Sequence, residues 1–198
     1  MRATIFDYGA GNLHSLAKAV ALAGATTVIE SDPRRCVDTD LLVLPGVGSF
    51  PHAAERLAGG REHMRDAIVA GLPTIGVCLG MQLLFFSSDE GPGAGIGIIE
   101  GKVARLDALR VPHIGWNTLE SDGDPLLARG AVPMVYYANS YACRPRDPAC
   151  VTAWTTYERD RFPAIVRAYS AIGLQFHPEK SSTDGVNLLV AAVDELLQ

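Results

Sequence analysis

The spacing of apolar positions changes several times along this chain, and each change predicts an element. Residues 2–7, Arg2-Ala3-Thr4-Ile5-Phe6-Asp7, form an apolar-centred run that predicts a first strand. Residues 12–23 place apolar side chains at helical spacing. Thr26-Thr27-Val28-Ile29 and Leu41-Leu42-Val43-Leu44 read as further strand-like runs. Helical spacing returns over residues 51–70. Pro73-Thr74-Ile75-Gly76-Val77 predicts another buried strand, and Leu79-Gly80-Met81-Gln82-Leu83-Leu84-Phe85-Phe86 predicts a helix with a thoroughly apolar face. Ser87 to Gly97, rich in glycine and acid, reads as a loop. Strand patterns then dominate around 98–106, 111–119, 133–142, 150–156 and 164–176, before a last helix over about 184–197.

This order predicts an α/β fold: one domain over residues 1–198, with a central mixed, largely parallel sheet flanked by helices. The first half supplies the parallel strands, and the second half is expected to add antiparallel strands to the same sheet. The chain has 198 residues, enough for one sizeable core, and neither an internal repeat nor a dividing linker interrupts it. Net charge is −5 and no basic stripe is present, which argues against a nucleic-acid partner. No apolar run approaches the roughly 20 residues that span a bilayer. The first residues already read as a strand rather than a secretion signal, so the cytoplasm is the expected compartment.

The chemistry concentrates at Cys78. It sits where a predicted strand becomes a predicted helix, with Gly76 and Gly80 two residues away on either side. This Gly-x-Cys-x-Gly pattern is the thiol relative of the serine nucleophile elbow, whose sharp turn leaves no room for flanking side chains. A helix N-terminus favours thiolate over thiol. The Leu79 amide is left free to bind an oxyanion. Taken alone, Cys78 reads equally as a small core residue.

His177 and Glu179, in Gln175-Phe176-His177-Pro178-Glu179, offer what a thiol nucleophile lacks, although taken alone the segment reads as a surface turn. Two apart in a segment stiffened by Pro178, they share a side. An imidazole would take the thiol proton and a carboxylate would orient the imidazole. His113, in an apolar neighbourhood, reads as a buried structural histidine. Cys143 and Cys150 bracket what looks like a hairpin loop and are expected to stay reduced. No Cys or His spacing suggests a metal site, and no cofactor is expected.

With these residues in hand, the chain resembles the class I (triad) glutamine amidotransferases, and within them the glutaminase subunits of imidazole glycerol phosphate synthase. The resemblance runs nearly end to end. It is carried by Asp7-Tyr8-Gly9-Ala10-Gly11-Asn12-Leu13, Leu44-Pro45-Gly46-Val47-Gly48-Ser49-Phe50, Gly76-Val77-Cys78-Leu79-Gly80-Met81-Gln82, Pro112-His113-Ile114-Gly115-Trp116-Asn117 and Phe176-His177-Pro178-Glu179-Lys180-Ser181. It implies hydrolysis of the side-chain amide of L-glutamine by Cys78, His177 and Glu179. The oxyanion would be held by the amides of Leu79 and Val47, the latter after a peptide flip made cheap by flanking glycines. Glutamine would be bound by Gly48, Gln82, Glu90, Ser140 and Tyr141. Glu90 also reads as a solvated loop acid.

The resemblance further implies a partner, a (β/α)₈-barrel cyclase subunit that receives ammonia within a heterodimer. That complex would make imidazole glycerol phosphate and an aminoimidazole carboxamide ribotide in histidine biosynthesis. Asn12, Trp116 and Lys180 match positions that face the cyclase, although Trp116 reads equally as a core tryptophan. Lys180 is one of three lysines against 14 arginines, which hints at a need for a compact ammonium. Two departures stand out. Asn139 occupies a segment where many members carry histidine, and Phe86 stands where a polar or small residue is common. Rival readings are a glutaminase for another synthase, a peptidase or deglycase on a similar elbow, and a non-catalytic subunit.

Overall fold

The structure, a computed structural model, describes residues 1–9, 11, 13–128 and 134–198. In chain order its elements begin with β1 (Arg2–Phe6), α1 (His14–Ala21), β2 (Thr26–Glu30), β3 (Leu41–Leu44), α2 (Phe50–Leu57), α3 (Arg61–Val69), β4 (Thr74–Val77) and α4 (Leu79–Gln82). They continue with β5 (Phe85–Ser88), β6 (Ile99–Arg105), β7 (His113–Asn117), β8 (Glu120–Ser121), α5 (Pro125–Ala128), β9 (Val135–Asn139) and β10 (Tyr141–Pro145). Last come β11 (Val151–Tyr157), β12 (Asp160–Ala168), β13 (Ala171–Leu174) and α6 (Ser182–Leu196).

An eight-stranded sheet runs in the order β2-β1-β3-β4-β13-β12-β11-β8. The first five of these strands are parallel, and the last three continue antiparallel. Both faces are covered. Leu41 and Val43 point into a core shared with Leu16 and Val20 of α1 and Leu188, Leu189 and Val193 of α6. Leu42 and Leu44 point the other way, toward Phe50 and Leu57 of α2 and Met64 and Ile68 of α3. A strand buried on both sides accounts for the unbroken apolar run at 41–44. Because β1, β3, β4 and β13 are parallel, the segments after them emerge along one edge of the sheet. Ligands bind in open α/β sheets at such a carboxyl edge.

Four expectations need correction. The helix expected over 79–86 is one turn, Leu79–Gln82, and Phe85–Ser88 is a strand. Backbone groups of 83–86 bond instead to 95–99, with Ile96 N–H donating to Leu83 O at 2.7 Å and Gly95 N–H to Phe86 O at 2.9 Å. An all-apolar run has no period by which helix and strand can be told apart. Second, only β8, β11 and β12 join the main sheet as antiparallel strands, because β10-β6-β5 and β7-β9 form separate sheets. Third, the run 164–176 is broken by a turn between β12 and β13, where Tyr169 adopts φ 52° without a glycine to mark it. Fourth, Cys143 and Cys150 do not flank a hairpin loop: β10 pairs with β6 and β11 with β12, so the link crosses between sheets. Both thiols are free. Among the described residues, no helix is long and apolar enough to cross a membrane.

Candidate active site

Cys78 occupies the one-residue step between β4 and α4, with φ 47° and ψ −103°. That conformation costs a residue with a Cβ about 1–3 kcal/mol and persists only where surrounding contacts enforce it. Here the Cys78 N–H donates to Leu174 O at 2.6 Å, and the Gln82 N–H donates to Cys78 O at 3.1 Å. The flanking glycines are required by contact. A Cβ on Gly76 would lie 2.7 Å from the Gly80 carbonyl, and one on Gly80 would lie 2.0 Å from Leu44 O. Since α4 is a single turn, the positive field at Cys78 is that of one turn of unpaired N–H groups, weaker than a long helix would give.

His177 follows β13, the neighbour of β4, and thereby reaches Cys78. Its Nδ1 lies 2.8 Å from Glu179 Oε1, and the two side chains are 3% and 8% exposed. Burial alone would lower the imidazole pKa. The hydrogen bond and charge of Cys78, followed by those of Glu179, outweigh burial and raise it from 6.5 to about 9. The ring is therefore held protonated through neutral pH, next to the sulfur it serves.

The segment after β3 passes directly over this pair. A Cβ on Gly46 would lie 2.9 Å from both Cys78 Cβ and His177 Cε1, so only glycine lets the backbone approach so closely. The segment is held at both ends. Tyr8 Oη donates to Pro45 O at 3.1 Å, and Phe50 N–H donates to Glu90 Oε2 at 2.8 Å. Between these anchors, Gly48 is exposed with φ 95°, and Val47 packs where a Cβ on Gly11 would collide at 2.6 Å. Glu90 thus satisfies an orphan N–H at the start of α2. This bond uses one carboxylate oxygen, and the loop-acid alternative does not describe it.

Gln82 is buried and donates from Nε2 to Tyr141 O at 3.0 Å and toward Gln175 Oε1 at 3.5 Å. Asn139 Nδ2 donates to the same Tyr141 carbonyl at 3.0 Å, while its Oδ1 has no partner. The departure at 139 is therefore a buried amide bracing the Ser140-Tyr141 segment. Gln175 and Tyr8 were not singled out from the sequence as parts of this site, and Gly46 only as a flank of the Val47 peptide. Gln175 is fully buried, and its Nε2 lies 3.6 Å from Cys78 Sγ. A glutamine placed among Leu174, Phe176 and a candidate catalytic histidine was the available signal.

His113 is buried and stacked between Tyr137 and Tyr157, with ring centroids 4.9 and 4.0 Å away. Burial pushes its pKa down to about 4, as suits a neutral structural ring. Trp116 is 48% exposed on the β7–β9 ribbon, edge-on to Tyr136, which sets aside a core role. Lys180 is exposed beside Glu179. Asn12 lies outside the described residues. Phe86 projects outward from β5, 54% exposed, with the Arg61 guanidinium 5.8 Å from its ring. It therefore lies on a strand and not on the expected helix, and nothing in the structure explains the departure in residue type. Among the described residues, no group of His, Cys, Asp and Glu side chains is arranged to hold a metal ion.

A cysteine elbow at the carboxyl edge of a parallel sheet, facing a His–Glu pair two residues apart, defines a class of enzyme. The chain belongs to the class I glutamine amidotransferases: the sequence profile of that family, glutamine amidotransferase class-I, matches residues 4–193. Its relatives include the imidazole glycerol phosphate synthase subunit HisH of Symbiobacterium thermophilum, 43% identical over 194 residues, covering 95% of this chain and 91% of that one. The subunit of the same name from Pyrococcus furiosus is 42% identical over 191 residues, covering 95% and 96%. Solved structures share the fold. A glutamine amidotransferase crystal structure superposes with TM-score 0.73 at 17% identity, and the structure of PurLQS from Thermotoga maritima with 0.71 at 18%, each covering 98% of both chains.

Proposed function

We propose that this chain is the glutaminase subunit of an imidazole glycerol phosphate synthase. It hydrolyses L-glutamine and passes the ammonia to a (β/α)₈-barrel cyclase subunit docked over the site. The observation that carries the chemistry is the placement of His177 between Cys78 on one side and Glu179, 2.8 Å away, on the other. The Cys78 sulfur attacks the amide carbon. The oxyanion is taken by the Leu79 N–H, which has no acceptor within its own helix, and by the Val47 N–H once the Gly46–Gly48 segment turns it inward. Imidazolium His177 gives its proton to the departing ammonia, leaving a glutamyl thioester on Cys78. Water, deprotonated by the now neutral ring, hydrolyses the thioester and regenerates the site.

Gln82 and the Ser140-Tyr141 segment line the glutamine subsite, and Glu90 offers its second oxygen to the substrate ammonium. Ammonia released into water would be protonated and lose its nucleophilicity, so the site needs a cover. Exposed Trp116 and Lys180 supply an aromatic and a cationic contact for one, and Asn12 is assigned to the same face by resemblance. The glycine-flanked oxyanion segment predicts a poor glutaminase until the cyclase and its ligand set the peptide.

The test is glutamate production from glutamine, with and without a purified cyclase subunit and its ribonucleotide ligand, in wild type and Cys78→Ala. Strong activation that vanishes in Cys78→Ala is expected. Activity indifferent to the cyclase would move the protein to another synthase. Inactivity under both conditions would refute the glutaminase reading.

A further inference from the structure

We propose that Gln175 is a further catalytic residue, donating a hydrogen bond to the Cys78 sulfur, with its amide orientation dictated from the Tyr141 carbonyl through Gln82. The inference rests on the glutaminase reading and adds to it a second donor at the nucleophile.

The argument starts from a group whose polarity is unambiguous. A backbone carbonyl only accepts, so the side-chain atom of Gln82 that lies 3.0 Å from Tyr141 O is its Nε2. That same nitrogen faces Gln175 at 3.5 Å, and the facing atom must accept, so it is Oε1. The Gln175 amide is then directed with its Nε2 toward Cys78 Sγ, at 3.6 Å, an ordinary separation for a nitrogen donor and sulfur. A flipped Gln175 would set two NH₂ groups against each other on one side and a carbonyl against the sulfur on the other. Full burial removes water as an alternative partner for either end.

The consequence is chemical. His177 provides one donor to the sulfur and gives up its proton during turnover, while Gln175 provides a second that cannot be transferred. A neutral amide donor favours the anionic sulfur and fixes its direction without competing for the proton. The chain from sulfur to Tyr141 also links the nucleophile to the segment that borders the glutamine subsite.

The test uses the full chain and iodoacetamide, a small alkylating agent that needs no glutamine pocket. Alkylation at Cys78 is followed across pH by peptide mass spectrometry, which separates it from Cys36, Cys143 and Cys150. Gln175→Met keeps the volume and removes the donor. We expect its alkylation near pH 7 to be about tenfold slower, with the pH midpoint about one unit higher. A midpoint and rate equal to wild type would overturn the inference.

Because position 175 is buried, thermal unfolding is measured alongside. If Gln175→Met unfolds early, the decision passes to near-isosteric Gln175→Glu, whose acid form donates and whose ionised form repels the sulfur. Its rate relative to wild type is expected to fall as pH rises, and a pH-independent ratio would overturn the inference. Altered alkylation in a chain that never makes glutamate, even with a cyclase, would support this hydrogen bond and refute the functional reading instead.

Discussion

Replacing Glu179 with glutamine isolates what the carboxylate does for His177. The rise of the imidazole pKa from 6.5 to about 9 corresponds to on the order of 3 kcal/mol in favour of the charged ring. It is achieved against burial, with Cys78 contributing ahead of Glu179. The Glu179 bond is 2.8 Å long between side chains 3% and 8% exposed, so solvent screens it little. A hydrogen bond to a charged group contributes about 1.5–3 kcal/mol. Taking the lower end, Glu179→Gln should bring the His177 midpoint down by about one pH unit, to about 8.

A histidine with a raised folded pKa stabilises the fold fully below the unfolded value of 6.5, and that stability is lost as pH rises through about 9. The variant should therefore lose stability earlier on the alkaline side. The alkaline limb of kcat/KM for glutamate production should shift by the same amount. The uncharged amide also removes the preference for one tautomer, so kcat should fall by about 10²–10⁴. The assay is glutamate production in the presence of the cyclase subunit, from pH 6 to 10, with urea unfolding over the same range. An unmoved alkaline limb with kcat within about threefold of wild type would refute the coupling.

Four further substitutions separate shape from chemistry. Gly80→Ala drives a Cβ to 2.0 Å from Leu44 O and should cost about 3 kcal/mol or more in urea unfolding, whereas Gly46→Ala, 2.9 Å from Cys78 Cβ and His177 Cε1, should abolish glutaminase with a smaller loss of stability. A soluble Gly80→Ala with an unchanged urea midpoint would contradict the elbow sterics. Glu90→Gln keeps an acceptor for the Phe50 N–H and removes the charge, so stability should stay within about 1 kcal/mol while KM for glutamine rises about tenfold or more. An unchanged KM would show that Glu90 only caps α2. Burial holds His113 at about 4, so its contribution is complete above pH 6.5 and lost as pH falls toward 4. His113→Phe, which preserves stacking with Tyr137 and Tyr157, should flatten the pH dependence of the urea midpoint in that window. A dependence as steep as wild type would reject the assignment.

Much of this protein was written locally. The strands at 41–44 and 74–77 were legible because burial on both faces leaves an unbroken apolar run, and the elbow because its glycines flank the cysteine symmetrically, although Gly76 answers a collision with Gly80 four residues on and Gly80 one with Leu44 of β3. His177 and Glu179 were legible because two residues and a proline are enough to pair them. What the chain did not carry locally was the end of α4, since Leu83 to Phe86 exchange helical partners for bonds to residues 95–99. Nor did it carry the division of the later strands among three sheets, which depends on partners far apart in sequence.

The site divides in the same way. Local sequence could nominate a nucleophile, a base and a carboxylate, because each has an intrinsic chemistry. Only the placement of β13 beside β4 brings His177, nearly a hundred residues away, onto Cys78. The same juxtaposition turns Gln175 from an ordinary polar residue into a donor at the sulfur, Gly46 into the one residue that fits over the pair, and Glu90 into the anchor of α2. Residue type determines what a group is able to do; the distances and burial that decide whether it does so belong to the tertiary structure, because they are set by strand order rather than by neighbours in the chain.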